Sequence, residues 1–162
     1  MTPEQLRLLA LVDDAFTGVE LADGVSLHQA CVIDSYGSTA EEIAARHNDE
    51  TTDWHALVND SELHRMCSLM GGYWNFCDAV GARFHLPACL AFMVADPTDQ
   101  WVPEILEALV YSLTDGAFRR SHLLALTDAQ LTCFKEVMVA LRSAWAYSTA
   151  EYQQAVNALH RE

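Results

Sequence analysis

Basic side chains are scarce in this sequence. Lys135 is its one lysine, and with eight arginines it faces 23 aspartates and glutamates, a net charge of -14 over 162 residues. Such a surface meets like charge on nucleic acid or an anionic membrane from most directions, which excludes both as partners and leaves a basic protein as the favoured one. Long apolar runs are missing too. No segment approaches 18 uncharged apolar residues, and no basic stretch followed by an apolar one opens the chain, so a soluble, cytoplasmic protein is expected.

The cysteines, Cys31, Cys67, Cys77, Cys89 and Cys133, include no C-x-x-C pair. An odd number scattered through apolar stretches argues against a disulfide framework and a zinc knuckle, and reads as small core residues in a reducing compartment. Signatures of catalysis are equally absent. There is no G-x-S-x-G turn and no H-E-x-x-H pair, and Gly71-Gly72 lacks the lysine and preceding strand of a phosphate loop. No cofactor is implied.

What is present is helical punctuation. Half the residues, 51%, are hydrophobic, enough for one domain over residues 1–162 to bury its own core. Thr2-Pro3 with Gln5, Ser26 with Gln29, Ser38 with Glu41 and Thr127 with Gln130 each form a capping box, predicting helices that start at those points. Apolar residues from Leu63 to Cys77 recur at helical spacing and predict a longer helix from Ser61 toward Gly81, with Gly71-Gly72 as a kink. Pro87 is expected to open a short helix through Val94, and Pro103 another. The stripe Leu131, Phe134, Met138, Leu141 and Trp145 is the strongest helical pattern, and either continues to Leu159 or yields to a new helix at Ser148 or Thr149. No stretch alternates with period two. The fold class is all-α, a compact bundle of about seven or eight helices.

Charge is distributed unevenly. Residues 1–60 hold 12 acids against Arg7 and Arg46, a net of -10, whereas the rest carries -4. The densest group of reactive side chains is the loop with His47, Asp49, Glu50, Asp53 and His55. Imidazole and carboxylate are common metal ligands, which makes His47, Asp49, Asp53 and His55 weak metal candidates, although no helical spacing enforces their convergence. Arg83 lies in Gly81-Ala82-Arg83-Phe84-His85-Leu86-Pro87-Ala88, read as a turn, and is expected to pair with Asp49, Glu50 or Asp53. Trp101, in an acidic, proline-bounded segment, is either a contact for a basic partner or a core anchor.

Asp49-Glu50-x-x-Asp53-Trp54 and Gly81-x-Arg83-Phe84-x-Leu86-Pro87-Ala88, together with Ala15-Phe16 and the Val19 to Leu21 stretch, resemble a bacterial family of unknown function over roughly residues 10–95. The resemblance implies a shared scaffold with Asp49, Glu50, Asp53, Trp54, Arg83 and Pro87 as its signature, and no activity. His85 departs from the aromatic residue similar proteins carry there. The functional expectation is a non-enzymatic acidic protein-binding domain, of the antidote or immunity type that neutralises a basic bacterial toxin or effector. The alternatives are a small enzyme or metal-binding protein using the His47, Asp53, His55 and Arg83 cluster, and a mimic of DNA.

Overall fold

The computed structural model describes residues 1–114, 121–123, 125–145 and 148–159. Its α-helices are α1 (Pro3–Ala15), α2 (Leu27–Asp34), α3 (Thr39–His47), α4 (Ser61–Cys67), α5 (Tyr73–Phe76), α6 (Ala79–Ala95), α7 (Trp101–Thr114), α8 (Asp128–Ala140) and α9 (Thr149–Ala158), with 3-10 turns at Trp54–Leu57 and Leu141–Ala144. Eight of these helices have seven residues or more, and no strand occurs among the described residues. The protein is all-α. All four helices start where expected: at α1, α3 and α8 a hydroxyl and a glutamine or glutamate three residues later satisfy free amide groups of the first turn, whereas at α2 Gln29 accepts from Ser26 N at 3.2 Å and the Ser26 hydroxyl is left without a partner among the described residues.

Helix α6 is the centre. Thirteen of its 17 residues are buried, and α1, α4, α8 and the Trp54–Leu57 turn pack around it. A helix that is apolar on every side belongs in the interior. Gln5 links it to α1 while also closing that helix's capping box: its Nε2 donates to Val94 O at 2.9 Å and Ala95 O at 3.3 Å, carbonyls at the end of α6 that have no helical partner. Arg7 ties α1 to α8 through Glu136 at 2.7 Å. A second group pairs α7 with α4, α5 and α9, and α2 with α3 forms a hairpin joined to the body mainly through α2 and α5.

Two sequence expectations are corrected here. The pattern from Ser61 does not make one long helix: α4 stops at Cys67 and the chain turns through Gly72, whose φ of 71° is the left-handed conformation that glycine adopts without strain. Nor is the Gly81–Ala88 segment a turn. It lies inside α6, which starts at its N-cap Asp78 and runs through Pro87. Proline there withholds an amide from the Arg83 carbonyl and costs about 3 kcal/mol in a helix interior. Burial of Phe84, Leu86, Leu90 and Met93, each 0% exposed and worth roughly 1.5–3 kcal/mol apiece, outweighs it. Helix α7 opens at Trp101, placing Pro103 in its first turn, and a separate α9 begins after Ser148.

All five cysteines are free thiols; four are buried and Cys31 is half-buried. Burial pushes Cys77 and Cys133 up to about 12, well away from a reactive thiolate. No helix among the described residues is long and apolar enough to cross a membrane.

Candidate functional site

The acidic loop spends its carboxylates on its own backbone. Glu50 folds back so that Oε1 accepts from Thr51 N at 2.9 Å, Thr52 N at 2.7 Å, Thr52 Oγ1 at 2.8 Å and Asp53 N at 3.0 Å. The backbone amides of Thr52 and Asp53, then the Thr52 hydroxyl, hold its carboxyl down at about 2. Asp53 caps the 3-10 turn, accepting from His55 N at 3.0 Å, and contacts His55 Nδ1 at 2.9 Å, while His55 Nε2 reaches Asp13 at 3.0 Å. Burial alone would lower His55, but those two aspartates outweigh it and raise its pKa above the ordinary imidazole value. Trp54 is 2% exposed and donates its indole N–H to Phe16 O at 3.2 Å, pinning the loop to the end of α1.

Asp49 has a different task. Its side chain is 4% exposed and sits at the start of α2, where Oδ2 accepts from His28 N at 2.9 Å and Oδ1 lies 2.5 Å from His28 Nδ1. A carboxylate at a helix N-terminus gains from both the free amide and the dipole. His28 Nε2 lies 3.6 Å from Glu62 on α4, so one imidazole bridges the loop and a second helix.

The expected Arg83 clamp does not form. Among the described residues Arg83 has no ion pair, and its Nε is buried without a partner. The loop's acids are satisfied locally instead. The clamp is Arg46, whose guanidinium donates to the carbonyls of Gly24 and Ala22 and fastens α3 to the loop after α1. That loop rests directly on α6: a Cβ at Gly81 would lie 2.4 Å from Val25 O.

The six sequence candidates and the weak metal ligands thus do not share one site. His47 lines a groove on α3, His55 pairs with both Asp53 and Asp13, and Trp101 is half-buried against the core at the start of α7. Among the described residues no group of three or more His, Cys, Asp or Glu side chains is arranged to hold a metal ion.

What the fold does assemble is a cleft of about 360 Å³ beside the loop, with His28, Asn48, Asp49, Glu50, Asp60 and His85 among its walls. Leu27, Ala56 and Leu57 supply an apolar side. His85 is 1% exposed; its Nδ1 lies 2.9 Å from Gly81 O and 2.7 Å from the Tyr73 hydroxyl, which donates to Val25 O at 3.1 Å. A carbonyl only accepts, so Nδ1 carries the proton and Nε2 is the acceptor. Burial lowers His85 to about 4 and keeps it neutral near pH 7. The sequence does not flag His28 and Asp60, whose spacing of 32 residues carries no local pattern, and it marks His85 only as a departure from the aromatic residue of similar proteins.

No curated protein and no solved structure matches the chain. The pattern of the Family of unknown function (DUF6714) matches residues 4–158, nearly the whole chain, and the protein belongs to that family.

Proposed function

We propose that the protein is a non-enzymatic acidic binding domain, of the immunity type that neutralises a basic bacterial toxin or effector. The observation that carries this reading is Tyr36. Helix α2 ends in a six-residue reverse turn, with Gly37 N donating to Val32 O at 2.8 Å and Tyr36 N to Ile33 O at 3.1 Å. The left-handed position of that turn is usually glycine, yet tyrosine occupies it at a φ of 56° with 97% of its surface exposed. The ring costs the fold roughly 1–2 kcal/mol of backbone strain and returns no packing. A residue that opposes local preference without contributing to the core points to a use outside the fold.

Its surroundings fit a cationic partner. Asp34 and Glu41 are exposed in the same hairpin, Ile43 is 65% exposed, and α3 has no buried residue at all. Aromatic anchors ringed by charge favour rapid, oriented capture of a partner of opposite sign. The metal alternative loses support, because Asp53 and His55 pair with each other while His47 lines a groove that includes neither, and no three His, Cys, Asp or Glu side chains among the described residues are arranged to hold a metal ion.

The test is affinity capture from the native organism at low and high salt, in parallel with Tyr36→Gly. The expected result is a basic protein retained at low salt, released as salt rises, and lost with Tyr36→Gly, although that variant melts no lower than the parent. Capture that ignores both salt and Tyr36→Gly would overturn the reading.

A further inference from the structure

We propose that the cleft beside the acidic loop is a receptor for the guanidinium of an arginine side chain presented by a protein partner. The inference rests on the binding-protein reading for the source of that arginine; the chemistry rests on the cleft. Its polar groups are overwhelmingly acceptors. Glu50 collects its four donors on Oε1 and leaves Oε2 open, and Asp60 gives Oδ1 to Glu62 N at 2.8 Å, leaving Oδ2. Asp49 adds negative charge at the wall, both of its oxygens being already engaged by His28. The independent pointer is His85: a side chain 1% exposed lines the cleft, its Nδ1 is engaged, and no hydrogen bond reaches its Nε2 acceptor. An acceptor on the cleft wall that no protein donor reaches is available to an incoming N–H.

Guanidinium suits this set better than ammonium. Its five N–H groups lie in one plane and can serve separate acceptors together, whereas an ammonium is a compact point charge that stays hydrated. Leu27, Ala56 and Leu57 offer the apolar side that a methylene stem needs. A peptide arginine is preferred over the free amino acid, whose α-carboxylate is repelled by the -10 charge of residues 1–60.

The experiment is an NMR titration of the protein with N-acetyl-arginine-N-methylamide, following the imidazole resonances of His28 and His85. Saturable shifts at both are expected, with the lysine analogue and free arginine each binding at least about threefold more weakly. Asp60→Asn should weaken binding roughly three- to fivefold, the worth of a half-exposed ion pair, without changing the melting temperature, because asparagine caps α4 as well as aspartate does. Absence of saturable shifts would overturn the proposal, as would equal shifts from tetramethylammonium, which has the charge and no N–H, or unchanged affinity in Asp60→Asn. Free arginine binding as tightly as the amide would overturn the assignment to a protein side chain. The titration needs no partner, so its failure leaves the Tyr36 reading standing, and failed capture leaves the cleft standing.

Discussion

Glu50 offers the clearest measure of what the acidic loop does. Four donors converge on one carboxylate oxygen, three of them backbone amides of the next three residues, at 2.7 to 3.0 Å. The fall of its pKa from 4.5 to about 2 corresponds to a ceiling of about 3.4 kcal/mol. Partial exposure screens that figure, and about 1–2 kcal/mol is the reasonable expectation. Glu50→Ala removes the acceptor and should lower the melting temperature by roughly 2–8 °C, and Glu50→Gln, which keeps an oxygen but not the charge, by about half as much. Because the folded pKa is the depressed one, the wild-type advantage over Glu50→Gln is complete above about pH 4.5 and vanishes as pH falls through about 2. Urea melts at neutral and acid pH measure that difference, and carboxyl NMR reports the titration directly. A wild-type urea midpoint in Glu50→Ala, or a Glu50 carboxyl with an ordinary pKa, would refute the account.

Three further outcomes follow from the same geometry. Arg83→Met should leave the melting temperature unchanged or raise it, since it keeps the aliphatic stem and removes a buried donor without a partner; a loss above about 2 kcal/mol in urea melts would mean that Arg83 has a partner after all. His85 is neutral when folded, so unfolding takes up a proton as pH drops from about 6.5 toward 4, and a stability curve should decline across that window; an imidazole resonance of His85 titrating near 6.5 in the folded protein would contradict it. Trp54→Ala should cost about 3–5 kcal/mol by emptying a buried site and removing one of the two donors to Phe16 O, and Trp54→Phe clearly less, as read by calorimetry.

The sequence made helix starts legible because caps are local. Thr2, Ser26, Ser38 and Thr127 each act within three residues, and all four helices begin there. It made α6 illegible because Pro87 signals a boundary, while the burial that overrides it is a property of the assembled core. Asp78 was the available sign: its carboxylate accepts from Gly81 N at 2.7 Å and Val25 N at 3.1 Å, fixing both the helix start and the loop lying on it. Asp49, Glu50, Asp53 and Trp54 lie together in sequence, but their work is divided among three neighbours: α2, the loop's own amides and α1. Arg83 is not the clamp: the loop's acids are engaged by His28, by the loop's own amides and by His55, while Arg46 fastens the neighbouring segment through the carbonyls of Gly24 and Ala22. The cleft depends on residues 28, 49, 60 and 85 meeting through tertiary packing, which no spacing encodes.

Helix α3 contributes no buried residue, packs chiefly on α2, and is held in place by a capping box at one end and Arg46 near the other. Its middle is therefore free of packing constraint. Substitutions at Ala40, Ile43, Ala44 or His47 can change the surface offered to the outside while the core, with α6 at its centre, stays the same. Under the proposed binding role, such a helix separates the evolution of specificity from the evolution of stability. Relatives could drift to new targets by rewriting one nine-residue face, at little risk to folding.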